Sequence, residues 1–519
     1  MRSKNYAAVL TLPMSRRKSK FAVFAPVENF YAAWRARGRD ADVLRDGKGP
    51  PAERLLQSVW RHQRLLRDRL KTVDGKSVRV LHPGFASAEG GPDFRGAVIQ
   101  FEGEAPRSGD VEIDLRSHGW HAHGHDRNPN FQNVLLHVVW EAEGQAPNTP
   151  PILQLCDALD APLAELSAWL ENDSASVLPE NLRGRCSAPL RGLSEGQLTE
   201  LLHAAALVRF QNKAAAILAR ARPVGWAQAL WEGLFRALGY KHNAWPMQSL
   251  AETRARWTDH AASDLDFQAR LLGLSGLLPA DLTRSRNGSD TYMRRVWDCW
   301  WRERDRFADC LLPRAIWKFH GLRPANHPQR RLALAAHWLA DKNFISKIEK
   351  WSVTTIGNGR SADARNSAPA SRSNSGQLLE SLYEILEVAR DDFWSWHWTF
   401  RSARLAKPRP LLGTLRVTDL ALNAILPWLW IRAVEGRNKA LQTEIERRFI
   451  AWPAAQDNSV LRLARQRLLG TSNRGILKGA AAQQGLMQIV RDFCDQSNAV
   501  CDRCQLPGMI NSLPPKTQG

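Results

Sequence analysis

The chain is poor in cysteine, tyrosine and methionine, with 7, 5 and 6 of each in 519 residues. An odd and sparse set of thiols excludes a disulfide scaffold and fits a reducing compartment, so a cytoplasmic setting is expected. Long apolar runs are missing too. The longest, Ala421 to Val434, contains Pro427 and falls short of the roughly 18 to 20 residues a bilayer span requires, so no membrane partner is expected. Met1 to Pro13 carries a short apolar stretch without a small-residue cleavage site, which excludes a secretory leader. No repeat of fixed period is visible. Acidic residues are the minority: Lys and Arg total 72 against 52 Asp and Glu, for a net charge of +20 and a pI near 10.1. A cationic surface suits a polyanion, and a nucleic acid is the expected partner, DNA in preference to RNA. The sequence does not fix an oligomeric state.

At 44% hydrophobic and 24% charged residues, composition is ordinary for a globular protein with room for about three domains. Residues 1–51 read as a basic extension ending at Gly49-Pro-Pro51. Leu55, Leu56, Val59, Trp60, Leu65, Leu66 and Leu70 recur at helical spacing. Strand-like runs follow at Val78–Leu81, Ala97–Phe101, Val111–Leu115 and Val134–Trp140, bounded by turn residues. This places an α/β core at 52–145. Beyond Pro150-Pro151 the pattern is helical, at Gln197–Arg222, Trp226–Leu238, Tyr292–Phe307 and Arg330–Ala340, with no convincing strand. Residues 357–376 hold too little apolar surface to offset ordering entropy and read as a disordered linker between helical regions at 146–356 and 377–510, with a tail at 511–519. Most of the 21 tryptophans fall in helical stretches, where core packing accounts for them.

The sharpest chemistry lies in the hairpin from Pro92-Asp93 through Gly109-Asp-Val-Glu-Ile-Asp-Leu115. Alternation puts Val111, Ile113 and Leu115 on one face and Asp110, Glu112 and Asp114 on the other, an acidic face that should not be core. Asp93 and Glu112 meeting across the hairpin would make a carboxylate pair for Mg²⁺ or Mn²⁺. The plainer alternative is a solvated acidic face. Immediately downstream, five histidines fall between His118 and His137. His121, His123 and His125 alternate and could present three imidazoles to Zn²⁺ or Mn²⁺, or they could simply hydrogen-bond a surface loop.

At the C-terminus Cys494, Cys501 and Cys504 lie within eleven residues, and a fourth ligand is available in Cys186. Four thiols of this kind suit a structural Zn²⁺ or an iron–sulfur cluster; unligated thiols are the alternative. Arg323, Arg330 and Arg331 surround the start of a helix after Gly321-Leu-Arg-Pro-Ala-Asn-His-Pro328, and Arg209 and Lys213 lie on the helix 197–222. Together they could grip phosphates, although each alone fits a solvated helix face.

The helix, the hairpin beginning Pro92-Asp93 and the second strand carrying Glu112-Ile-Asp114 resemble the PD-(D/E)XK nuclease core. The resemblance implies a restriction-endonuclease-like fold and metal-dependent hydrolysis of phosphodiester bonds. It also implies a lysine that positions water, where this chain has Asp114; His118, His121 or an upstream lysine could take that role. Some nucleases of that superfamily hold a 4Fe-4S cluster on a lone cysteine plus a C-terminal triplet, although there the lone cysteine precedes the core and Cys186 follows it. A wider set of motifs resembles a bacterial family known only as a domain of unknown function. These are Leu81-His-Pro-Gly84, Gly91-Pro-Asp-Phe94, Trp120-His-Ala-His-Gly-His125, Asn133 to Val139, Gly321 to Pro328, Arg416 to Asp419 and Gln484-Gly485. Where that family reads Glu-Ile-His, this chain has Glu112-Ile113-Asp114. A phosphodiesterase is thus expected, against a binding protein that has lost activity or a His/carboxylate hydrolase of a small molecule.

Overall fold

The computed structural model describes residues 29–38, 51–87, 91–144, 149–163, 166, 184–240, 242–259, 262–279, 290–354, 374–470, 477–494, 501 and 504–513. An N-terminal mixed sheet with its helices precedes a mainly helical region. The first helix of the sheet region, α2 (Glu53–His62), follows a short α1 (Phe30–Gly38). Leu55, Leu56, Val59 and Trp60 of α2 are buried against the sheet. The apolar spacing extends to Leu70, but α2 stops where Gln63 turns left-handed at φ 51° and its N–H caps the Trp60 carbonyl.

Strands β1 (Val78–His82), β2 (Phe85–Ala86), β3 (Phe94–Phe101), β4 (Arg107–Arg116), β5 (Val134–Glu141) and β6 (Ile152–Gln154) form one sheet in the order β1-β3-β4-β5-β6, with β2 beside β3. The β1–β3, β2–β3 and β3–β4 pairs are antiparallel; β4–β5 and β5–β6 are parallel. Strand β6 lies beyond the expected boundary at 145 and follows Pro151. It is too short for its pattern to register, but Leu153 and Leu155 complete the sheet's core. Val80, Ile99, Val111, Ile113, Leu136 and Val138 line that core face.

A parallel pair needs a long crossover, and between β4 and β5 it is residues 117–133. This segment folds as α3 (Gly119–Ala122) and two 3-10 turns, His125–Arg127 and Pro129–Phe131, the second capped by the Asn128 side chain accepting from the Asn130 N–H at 3.1 Å. It crosses over the face that carries Glu112 and Asp114. The acidic face is therefore buried, contrary to expectation, with Glu112 7% and Asp114 3% exposed.

The helix Glu195–Val224 runs through the helical region from a Ser194–Gln197 capping box. Its first half, with Leu198, Leu201 and Leu202, shares an apolar cluster with Tyr31, Cys186, Leu468, Leu486 and Cys494. Residues 29–38 are thus no loose extension: Tyr31 donates to Asp492 at 2.7 Å and Arg35 pairs with it at 2.9 Å. The expected linker lies outside the described residues except at its end, where Asn374 opens the helix Asn374–Leu386. Among the described residues one helical run, Thr414–Glu435, is long and apolar enough to cross a membrane, with 78% of its most apolar stretch buried within the fold. Pro427 does not break it, because a π-turn at Ala421–Ile425 widens the helix just before the residue that lacks an N–H.

Candidate metal centre

Parallel register sets Glu112 opposite His137 and Asp114 opposite Val139, with Glu112, Asp114 and His137 all facing the crossover. His137, fully buried, holds Asp114 Oδ2 at 2.8 Å through Nε2. The turn after α3 brings His123 Nδ1 to 3.2 Å from Asp114 Oδ1 and His125 Nδ1 to 3.7 Å from Glu112 Oε1. Gly119 is required by this approach, since a Cβ there would sit 2.8 Å from the Asp114 carboxyl carbon. Asp114, His123 and His125 each offer a ligand atom within 4.8 Å of the others. His123 is exposed and opens the site to solvent; the other two are buried.

The His125 ring is fixed by packing, stacked on Trp120 at 5.4 Å and met edge-on by Phe131 at 4.0 Å. It is 8% exposed and neither ring nitrogen has a hydrogen-bond partner, a costly arrangement for an imidazole. Burial lowers its pKa, which keeps a nitrogen lone pair free for a cation.

Carboxylates crowd the same place. Asp93 accepts from the Ile113 N–H at 3.1 Å and from Gln57 at 2.9 Å, while Glu112 accepts from the Asp93 N–H at 3.0 Å. Asp93 and Glu112 are therefore adjacent, as the hairpin suggested. Burial, followed by the charge of Glu53, pushes Asp93 up to about 7; burial, followed by the charge of Asp93, pushes Glu112 up to about 8. Glu53 is raised by burial and by Asp114. These three raised acids, beside Asp114, form a well of negative potential that a cation would relieve.

The structure does not gather every residue expected at the site. His118 meets Glu143 at 3.3 Å and His121 meets Asp126 at 3.6 Å, both rings exposed and outside the Asp114–His123–His125 trio. Glu53, Gln57 and His137 are the additions. His137 was within reach of the sequence, because the alternation that exposes Glu112 on β4 also fixes which β5 residues share its face. Glu53 and Gln57 carried no signal, since helical spacing marks only their apolar neighbours.

The expected phosphate-gripping residues are mostly turned inward. Arg330 donates to the carbonyls of Trp394, Arg409, Pro410 and Leu411, and Arg331 to Leu411 O and Asn326. Lys213 binds Leu422 O, Asn423 and Gln484, and Arg209 binds Gln484 and Gln488. These cations are consumed in holding loops and helices, because a buried guanidinium or ammonium must be paired. Arg323 is exposed and donates to Gln456 at 3.3 Å. Neither of two surface cavities, of about 570 and 390 Å³, is lined by a residue of the centre.

A buried, acid-backed His₂Asp centre on a mixed sheet defines a candidate metalloprotein. The chain belongs to the family described as Protein of unknown function (DUF2851), whose model matches residues 53–458. No curated protein and no solved structure matches the chain.

Proposed function

We propose that the chain is a divalent-metal-dependent phosphodiesterase acting on nucleic acid, DNA before RNA, with a restriction-endonuclease-like core. The observation that carries this reading is His125, buried beside Asp114 and Glu112 with no hydrogen bond at either ring nitrogen. Asp114, His123 and His125 would hold the ion, while Asp93, Glu112 and Glu53 add negative charge around it. Nitrogen ligands favour Mn²⁺ or Zn²⁺ over Mg²⁺. A bound cation there would supply Lewis-acid stabilisation of phosphoryl charge and lower the pKa of attacking water.

Two features support a polymeric substrate: the net charge of +20, and a centre that opens to solvent at His123 and lines neither surface cavity. A nucleic-acid binder without activity is favoured by a different observation, the inward placement of Arg330, Arg331 and Lys213. The test is cleavage of linear and circular DNA and of RNA with Mg²⁺, Mn²⁺ or Zn²⁺, comparing wild type with Asp114→Ala, His125→Ala and Asp93→Ala. Cleavage lost by at least a hundredfold in all three supports the phosphodiesterase. Salt-sensitive binding without cleavage supports the binder, and neither activity rejects both.

A further inference from the structure

Two cysteines lie in the small apolar cluster at the end of the helical region, a third packs against it, and Arg467 links a fourth, Cys501, to them. Cys186, 3% exposed, sits at the N-cap of the helix Ser187–Gly192, and Cys494, 4% exposed, ends the π-turn Val490–Cys494. Cys504 packs against the same cluster, just before the helix Leu506–Asn511. Cys501 adopts a left-handed backbone at φ 55°, unusual for a residue with a side chain, and Cys504 donates its N–H to the Cys501 carbonyl at 3.4 Å.

Arg467, 1% exposed, ties these thiols together. It donates to Cys501 Sγ at 3.2 Å and to the Cys494 sulfur, and the Gly184 N–H binds its carbonyl at 2.9 Å. Gly184 lets the chain pass close to Cys186, because a Cβ there would come within 3.2 Å of its sulfur. Neutral thiols are weak acceptors, so a buried guanidinium aimed at two sulfurs is better matched to thiolates. The thiols also feel one another: burial and then the other three cysteines raise Cys186, while burial raises Cys494 despite Arg467.

We propose that Cys186, Cys494, Cys501 and Cys504 form a thiolate centre for a thiophilic metal, either one Zn²⁺ or an iron–sulfur cluster, that fastens the C-terminus to the helical region. Binding exchanges four S–H bonds for four S–metal bonds and releases four protons, without oxidation of sulfur. Among the described residues no three cysteine sulfurs meet within 4.8 Å. A tetrahedral zinc with bonds of about 2.3 Å would draw them inward, whereas a cluster, whose thiolates bind separate irons, accepts the wider spacing.

The test is iron, acid-labile sulfide and zinc per chain in anaerobically purified wild type, with its visible spectrum. Cys501→Ser and Cys504→Ser, both at partly exposed positions, are compared with Cys156→Ser as a control and His125→Ala as a control for the other centre. Iron with sulfide and broad visible absorption, or one zinc, that falls at least tenfold in Cys501→Ser and Cys504→Ser but persists in both controls, supports the proposal and identifies the metal. Metal-free wild type, metal unchanged by the cysteine substitutions, or zinc that leaves with His125→Ala instead, overturns it. The wild-type measurement holds whether or not a variant folds.

Discussion

Buried charge is handled in two ways in this molecule. In the helical region it comes with partners: Arg330 meets four carbonyls, Arg220 pairs with Glu232 at 2.6 Å, and His337 holds Asp391 at 2.7 Å. Beneath the crossover of the sheet the pairing is incomplete, although His137 holds Asp114 at 2.8 Å. Burial and neighbouring carboxylates raise Glu53, Asp93 and Glu112, and His125 has no hydrogen bond. The first arrangement fixes a fold and offers nothing to a ligand. The second costs stability as it stands, a cost that a cation would return under the proposed reading, so the contrast is what that reading rests on.

The contrast can be broken at its structural end by Arg330→Met. Leaving its carbonyls unpaired in the interior should cost about 3 to 5 kcal/mol, read as a lower urea midpoint, with metal binding at the sheet unchanged. A loss below about 1 kcal/mol would mean that buried pairing does not define this region.

His82 sharpens the comparison because it is a buried histidine with a partner: its Nδ1 accepts from the Gly84 N–H at 3.0 Å, and burial pushes it down to about 4. A depressed base contributes stability that is present above its unfolded pKa, near 6.5, and is lost as pH falls through about 4. The loss should be about 3 kcal/mol over that window. His82→Asn should flatten this part of a pH series of unfolding curves; an unchanged slope would contradict the assignment.

The smallest effect on stability is expected where the effect on function is largest. Glu112, pushed up to about 8, is mostly protonated at pH 7 without a cation, so Glu112→Gln should change stability by less than about 1 kcal/mol. It should nonetheless weaken metal binding and abolish cleavage. A large destabilisation would show that Glu112 is a structural acid.

Much of the sheet was legible, because the alternating apolar residues of β3, β4 and β5 must face one core, and all four runs read as strands are strands. The helix Trp226–Leu238 was legible residue for residue, since a wide apolar stripe needs no partner to be recognised. What escaped was long-range. Nothing local in Glu112 or Asp114 says that residues 117–133 will fold back over them, so a face that looks solvated in β4 is in fact closed. The basic residues misled for the same reason: Arg330 and Arg331 have the composition of an anion site and the surroundings of a loop anchor. The site was thus half visible, with Asp93, Glu112, Asp114, His123 and His125 marked by residue type, His137 within reach of strand alternation, and Glu53 and Gln57 brought in only by the fold.

The central claim is that His125 and its acids form a metal centre. The direct measurement is Mn²⁺ bound per chain, followed by the loss of the free-ion electron paramagnetic resonance signal, in wild type, Asp114→Ala and His125→Ala. The account predicts one ion per wild-type chain and at least a tenfold weaker affinity in each variant. Binding undiminished in both variants, or none by the wild type at millimolar ion, would contradict it.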